Sequence, residues 1–305
     1  MTAAQSAPDY SAWTIDEVVE RLAAHGYVAD RALATSVFLS LRLGRPLLLE
    51  GEAGVGKTEL ARVLADLLGT RLIRLQCYEG LDVNNAVYEW NYARQMLEIR
   101  MLEARGAGDI ASRQIFGSDF LIRRPILQAL ESVDGKPAVL LIDEIDRADE
   151  PFEAYLLEIL SDFAVTVPEI GTIKADVPPH VILTSNRTRE VHDALKRRCL
   201  YHWIDYPSAE RETEIVLAHL PDAPRLLVAQ VVAFIQRLRD EDLTKLPGVA
   251  ETLDWAAALM ALGAPTLDAD TVDATLGAVL KYEEDVHRVR GERAAALAAA
   301  ARDAA

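Results

Sequence analysis

The sequence predicts an α/β core, a five-stranded parallel sheet between helices, followed by a helical region. Three observations carry the prediction. Short apolar runs (RPLLLE, RLIRLQC, AVLLID, HVILTSN and YHWID) alternate with stretches of helical periodicity up to residue 206. Strands separated by helices form parallel βαβ units, with the sheet covered on both faces. Beyond Pro207 every segment keeps helical spacing and the strand signals stop. In addition, the first apolar run leads straight into a glycine-rich stretch, Gly51 to Thr58, with a helix pattern behind it.

The elements follow in order. Thr14 with Glu17 three residues on forms a capping-box pattern, opening a helix that ends near Gly26. A second helix runs from about Asp30 to Leu43, with Gly44 as its stop. Residues 47–50 read as a buried strand, Lys57–Leu68 as a helix stopped at Gly69, and 71–77 as the next strand. The segment 78–124 is long for a plain connection. Within it Met96–Arg105 has helix character, and Tyr88, Trp90 and Tyr92 read as packing rather than as a substrate surface. A helix over 125–131, a buried strand over 138–143 and a helix opened by Pro151 come next. Residues 180–186 and 201–205 are the last strands. Four helical segments follow, in SAERETEIVLAHL, APRLLVAQVVAFIQRL, VAETLDWAAALMAL and DADTVDATLGAVLKYEEDV. The expected division is therefore 1–206 for the α/β domain and 207–305 for a helical lid. The alanine-rich tail from Glu292 reads as a frayed helix.

Composition narrows the function classes. The 305 residues carry 32 Lys and Arg against 48 Asp and Glu, a net charge of −16. Such a chain repels nucleic-acid phosphates on average, so no nucleic-acid partner is expected. No apolar run reaches the ~18 residues of a membrane span, and the N-terminus shows no secretory pattern. Cys77 and Cys199 are the two cysteines, too far apart for a disulfide framework or metal-ligand spacing, which points to the reducing cytoplasm.

The chemistry sits in four places. Gly51-Glu52-Ala53-Gly54-Val55-Gly56-Lys57-Thr58, with Glu59 behind it, is the Walker A pattern. Its glycines let backbone N–H groups wrap phosphates at a helix N-terminus, Lys57 reaches the β- and γ-phosphates of ATP, and Thr58 ligates Mg²⁺. In VLLIDEID an apolar strand ends in two carboxylates about 85 residues later. Asp143 would hold Mg²⁺ and Glu144 would orient and deprotonate the attacking water. Asn186 ends another strand, where its amide can meet the γ-phosphate and the lytic water; the plain alternative is a turn residue. Arg197 and Arg198 close a short helix. Arg198 is favoured as an arginine finger toward a neighbouring subunit and Arg197 is the fallback, against a role in complementing the helix dipole.

These motifs resemble the AAA+ superfamily, in which Asn186 takes the sensor-1 position. Within it, DEIDRADEPFEAYLLEILSDFAVTVPEIG followed by HVILTSN is similar to the MoxR family, with Asp143, Glu144, Ile145, Asp146, Arg147 and Ala148 on its signature. EGLDVNNAVYEWNYARQ and PGVAETLDW resemble the CoxD type, associated with aerobic carbon monoxide dehydrogenase and related molybdenum hydroxylases. The resemblance spans roughly residues 15–290. It implies an ATPase ring, a hexamer, that matures a metalloenzyme client with a von Willebrand A-domain co-chaperone. Related ATPases also set apolar residues ahead of the Walker A strand against adenine, which marks Tyr27 and Val28; Tyr27 reads equally as core. One departure stands out. Many family members carry a sensor-2 arginine at the start of the third lid helix, where this chain has Val249-Ala250-Glu251-Thr252, with Arg225 a weak substitute on an earlier helix. Three functions therefore stay in play: a remodelling ATPase, a nucleotide-gated scaffold of low turnover, and a DNA-processing motor that the charge opposes.

Overall fold

In a computed structural model, which describes residues 10–104 and 115–305, the apolar runs form strands where the pattern puts them. Thr14 and Glu17 exchange their reciprocal side chain–backbone bonds at 3.2 and 2.7 Å and open α1, Ile15–Ala24. After it come α2 Arg31–Leu43, β1 Leu47–Gly51, α3 Lys57–Leu68 and β2 Leu72–Gln76. The long segment 78–124 is built from α4 Val83–Ala86, β3 Tyr88–Trp90, α5 Tyr92–Ala104 and β4 Leu121–Arg123, with β3 and β4 antiparallel. Next are α6 Pro125–Leu130, β5 Val139–Asp143, α7 Glu150–Asp162, the hairpin β6 Ala164–Val167 and β7 Gly171–Lys174, β8 His180–Ser185, α8 Asp193–Arg198 and β9 Leu200–Ile204.

The expected helix over Met96–Arg105 starts four residues earlier, because Asn91 caps it: its side chain accepts from Arg94 N–H at 3.0 Å. Arg105 lies outside the described residues. Tyr88 and Trp90 pack against the core, but Tyr92 is 65% exposed, so the aromatic trio is not one packing cluster.

The five-stranded parallel sheet has the order β2-β5-β8-β1-β9. Its register sets Gln76 beside Asp143 and Glu50 beside Ser185, so the strands end together at one edge. β1, β5 and β8 are buried along their whole length, as a sheet covered on both faces requires. β2 alternates exposed and buried, which turns Leu72, Arg74 and Gln76 to the same side.

The chain packs as two compact units. The first comprises residues up to Val18, Arg31–Glu50 and Ala61–His202; its core runs through Leu48, Leu140, Ile142, Leu183, Leu127 and Leu156. Each such side chain, fully buried, contributes ~1.5–3 kcal/mol of transfer free energy.

The second unit comprises Val19–Asp30, Gly51–Leu60 and Trp203–Ala305. Its helices are α9 Ala209–His219, α10 Arg225–Leu238, α11 Val249–Ala261, α12 Ala269–Val279, α13 Glu283–Val289 and α14 Glu292–Ala304. That is one more than the four helices and the helical tail expected. The last expected helix breaks at Leu280-Lys281-Tyr282, where Leu280 is extended (φ −98°, ψ 130°). The tail is not frayed: Ala294, Leu297, Ala298 and Ala301 make a buried stripe of mostly small residues that packs on α10 and α12. Phe234 and Trp255 meet in this core at a tilt of 55°, with 5.0 Å between ring centroids. Among the described residues no helix is long and apolar enough to cross a membrane.

Candidate functional site

The glycine loop belongs to the second unit and is shaped by its main chain. Gly51, Gly54 and Gly56 have φ of 154°, 77° and 94°, a region that side chains disfavour. A Cβ on Gly51 would sit 2.3 Å from the Ile204 carbonyl oxygen, so the loop leaves the strand only as glycine. Lys57 is buried, and its ammonium donates to the carbonyls of Gly51 at 2.8 Å and Glu52 at 2.6 Å. The amine thus lies folded into the loop's own concavity. Ala53 is half-buried and Val55 buried, while Glu52 and Thr58 are exposed; Glu59 lies in the first turn of α3.

Two segments of this unit hold the loop from outside. Tyr27 is buried, its ring Cε2 and its hydroxyl oxygen 3.7 and 3.8 Å from where a side chain on Gly56 would begin. Burial pushes its hydroxyl well above the ordinary range. The Val28 carbonyl accepts from Arg211 at 3.0 Å, and Arg211 also pairs with Asp30 at 2.7 Å. Tyr27 and Val28 are therefore tied in behind the loop. The second segment is the start of α11: Ala250 N–H donates to the Gly54 carbonyl at 3.1 Å. No sequence motif announces this contact.

In the first unit, the acidic end of β5 is held by side chains. Asp143, 2% exposed, takes two bonds on Oδ2 from Arg74, at 3.0 and 2.5 Å. Its Oδ1 accepts from the Thr184 hydroxyl at 2.6 Å. Thr184 in turn accepts from Glu144 N–H at 2.9 Å, fixing a residue with left-handed backbone, φ 55° and ψ 52°. The Glu144 carboxylate accepts from Gln76 Nε2 at 2.9 Å and pairs with Arg147 at 2.9 Å. Gln76 is itself oriented by Arg74 through a 2.6 Å bond to its oxygen.

Asp146, buried, organises the loop that carries Asn186. Its oxygens accept from Asn186 N–H at 3.2 Å, Thr188 N–H at 2.9 Å and the Thr188 hydroxyl at 2.7 Å. Glu153, also buried, accepts from His192 N–H at 2.7 Å and pairs with Arg189, steadying the approach to α8. Arg197 and Arg198 are exposed at the end of that six-residue helix. Arg45 donates to their carbonyls at 2.8 and 3.3 Å and so caps the helix that presents them. Glu50, buried one residue before the loop, accepts from the Tyr201 hydroxyl at 3.1 Å.

The Thr58 hydroxyl in the second unit and the Asp143 carboxylate in the first are each hard oxygens of the kind Mg²⁺ takes together with water and phosphate; both oxygens of Asp143 are engaged by Arg74 and Thr184. Among the described residues no cluster of three or more His, Cys, Asp or Glu could hold a metal alone. Sequence reasoning missed Arg74, Gln76, Thr184 and the Asp146 clamp. Thr184 in HVILTSN and Asp146 in DEID stood inside the quoted motifs without a role assigned to them; Arg74 and Gln76 carried no signal beyond the polar alternation of β2.

Residues 46–199, half of the chain, match the model of the AAA domain family, dynein-related subfamily. The chain is 26% identical over 269 residues to the gas vesicle ATPase GvpN of Haloferax mediterranei, covering 83% of this chain and 73% of that protein. It is 22% identical over 229 residues to an uncharacterized protein of Staphylococcus saprophyticus, with 73% and 77% covered. Among solved structures, a mutant RuvB of Thermotoga maritima is similar with a TM-score of 0.47 and 18% identity, covering 92% of this chain and 76% of that one.

Proposed function

The chain belongs to the AAA domain family, dynein-related subfamily, and from that premise we propose that it is a Mg²⁺-dependent ATPase that works in an oligomeric ring to remodel a protein client. The observation that carries this reading is the loop itself: three glycines at positive φ around a buried Lys57 ammonium. In it the backbone N–H groups of 51–58 bind the β- and γ-phosphates, and Lys57 exchanges its carbonyl partners for phosphate oxygens. Thr58 and Asp143 would be the protein's oxygen donors to Mg²⁺, which when bound would neutralise phosphate charge. Glu144 accepts a proton from the attacking water, Asn186 orients that water, and Arg198, or Arg197 in its place, acts on a neighbouring subunit's nucleotide.

The finer reading is a MoxR-type chaperone of the CoxD kind, acting on the cofactor site of a molybdenum hydroxylase with a von Willebrand A-domain partner in the cytoplasm. It rests on the resemblance of EGLDVNNAVYEWNYARQ and PGVAETLDW. A second reading, a nucleotide-gated scaffold of low turnover, is favoured by one observation. No arginine stands at 249–252, and Thr252 is fully buried, its hydroxyl bonded to Glu212. Steady-state phosphate release with and without Mg²⁺ separates the two. Mg²⁺-dependent turnover at or above ~1 s⁻¹ supports the ATPase; tight ATP binding without turnover supports the scaffold.

A further inference from the structure

The first turn of α11 meets the glycine loop with backbone rather than with a side chain. Ala250 N–H donates to the Gly54 carbonyl at 3.1 Å. Gly248 lies so close that a Cβ on it would stand 2.6 Å from the Ala53 carbonyl oxygen and 3.0 Å from Gly54 Cα. Both neighbours are main-chain atoms, which cannot rotate aside. Glu251 completes the contact: its carboxylate accepts from Gly248 N–H at 2.9 Å, closing the helix start on itself.

Behind this contact sits a buried ionic network. Glu212, fully buried, accepts from Arg239 at 2.7 Å on both oxygens, from Gln236 at 2.8 Å and from the Thr252 hydroxyl at 2.6 Å. Arg239 also donates to the Pro247 carbonyl at 2.8 Å and stacks on the Tyr206 ring at 4.6 Å. Gln236 donates to the Pro207 carbonyl at 3.0 Å. The residues on either side of Gly248 are thus fixed to α9, α10 and the chain that enters α9. A displacement of the loop at Gly54 would bear on the start of α11 and, through it, on the partners of Glu212 and Arg239. Removing one partner from such a network leaves a buried charge underpaired, which is costly, so the network favours one discrete arrangement.

We propose that Gly248 is a positioning residue for the nucleotide loop, and that the Gly54–Ala250 backbone bond carries the loop's state into the helical bundle in place of an arginine side chain. The proposal rests on the reading of residues 51–58 as the nucleotide loop. It explains how a helix start without a cation is joined to a phosphate-binding loop: the joint is main chain, and it needs glycine at 248.

Hydrogen exchange on the full chain, with ADP·Mg²⁺ as the probe, tests it. In the wild type, ADP should protect two peptides together, one spanning 51–60 and one spanning 248–256. In Gly248→Ala the 51–60 peptide should still gain protection, with affinity about tenfold weaker, while 248–256 no longer responds. Glu251→Ala, which removes the acceptor for Gly248 N–H, is the milder variant should Gly248→Ala fail to fold, and it should reduce the 248–256 response. Glu251→Gln keeps an acceptor and should restore it. Protection at 51–60 with an unmoved 248–256 in the wild type overturns the proposal and leaves the ATPase reading intact. A wild-type response in a folded Gly248→Ala also overturns it. No protection at 51–60 at any ADP concentration overturns the nucleotide reading itself, and this proposal with it.

Discussion

The glycine loop and the acidic end of β5 solve opposite problems. The loop works with main chain: its geometry is set by glycine dihedrals and by carbonyls such as Ile204 O and backbone donors such as Ala250 N–H. The acidic end works with side chains. Asp143 and Glu144 are held by Arg74, Gln76, Thr184 and Arg147, drawn from β2, β8 and the turn after β5. A main-chain site is spelled out by the few residues that can adopt its backbone. A side-chain site names only its reacting atoms and leaves the supporting partners to whatever the sheet brings alongside.

That contrast can be broken. The largest expected effect is on the main-chain side: Gly51→Ala drives a Cβ into the Ile204 carbonyl and should cost about 3 kcal/mol, read as a lower urea midpoint with unchanged slope. A control at the far edge of the sheet comes next. His180 opens β8, buried against Tyr10 with Nε2 unpartnered, and burial lowers its pKa to about 4. The unfolded chain therefore binds the extra proton first, so this contribution is complete above pH ~6.5 and is lost as pH falls toward 4, by up to about 3 kcal/mol. His180→Gln should flatten the stability–pH curve in that window and leave turnover at pH 7.5 unchanged. On the side-chain side, Asp146→Ala frees Asn186 and Thr188 from their acceptor. It should lower turnover about tenfold and stability by about 2 kcal/mol, with ATP affinity kept. The smallest effect belongs to Gln76→Ala, which removes one of two side-chain partners of Glu144 and should lower turnover by about threefold. An equal loss in ATP affinity for either variant would mean that the two regions are not separable.

The same contrast explains what was legible in the sequence. Strand positions followed from apolar runs because β1, β5 and β8 are buried on both faces, and Lys57–Leu68 followed from the glycine on each side of it. The loop's glycines and its lysine were legible, but its contacts with Ile204 and Ala250 were not. The two carboxylates at the end of β5 were legible, but Arg74 and Gln76 were not, since an alternating edge strand looks the same whether its polar face meets solvent or a buried carboxylate. The helical region was misjudged where local spacing is silent. Lys281-Tyr282 continues a helical pattern that the backbone leaves at Leu280, and an alanine stripe looks frayed until α10 and α12 offer it a surface. The start of α11 was noted for the arginine it lacks, whereas the contact it makes goes through backbone atoms that every residue possesses.

The central claim, that one region binds and the other turns over, is tested most directly by a paired measurement of ATP affinity and steady-state hydrolysis on Lys57→Ala and Glu144→Gln. The account predicts that Lys57→Ala loses affinity by about a hundredfold, while Glu144→Gln keeps wild-type affinity and loses about 10²–10⁴ in turnover. Wild-type turnover in a folded Glu144→Gln would contradict it.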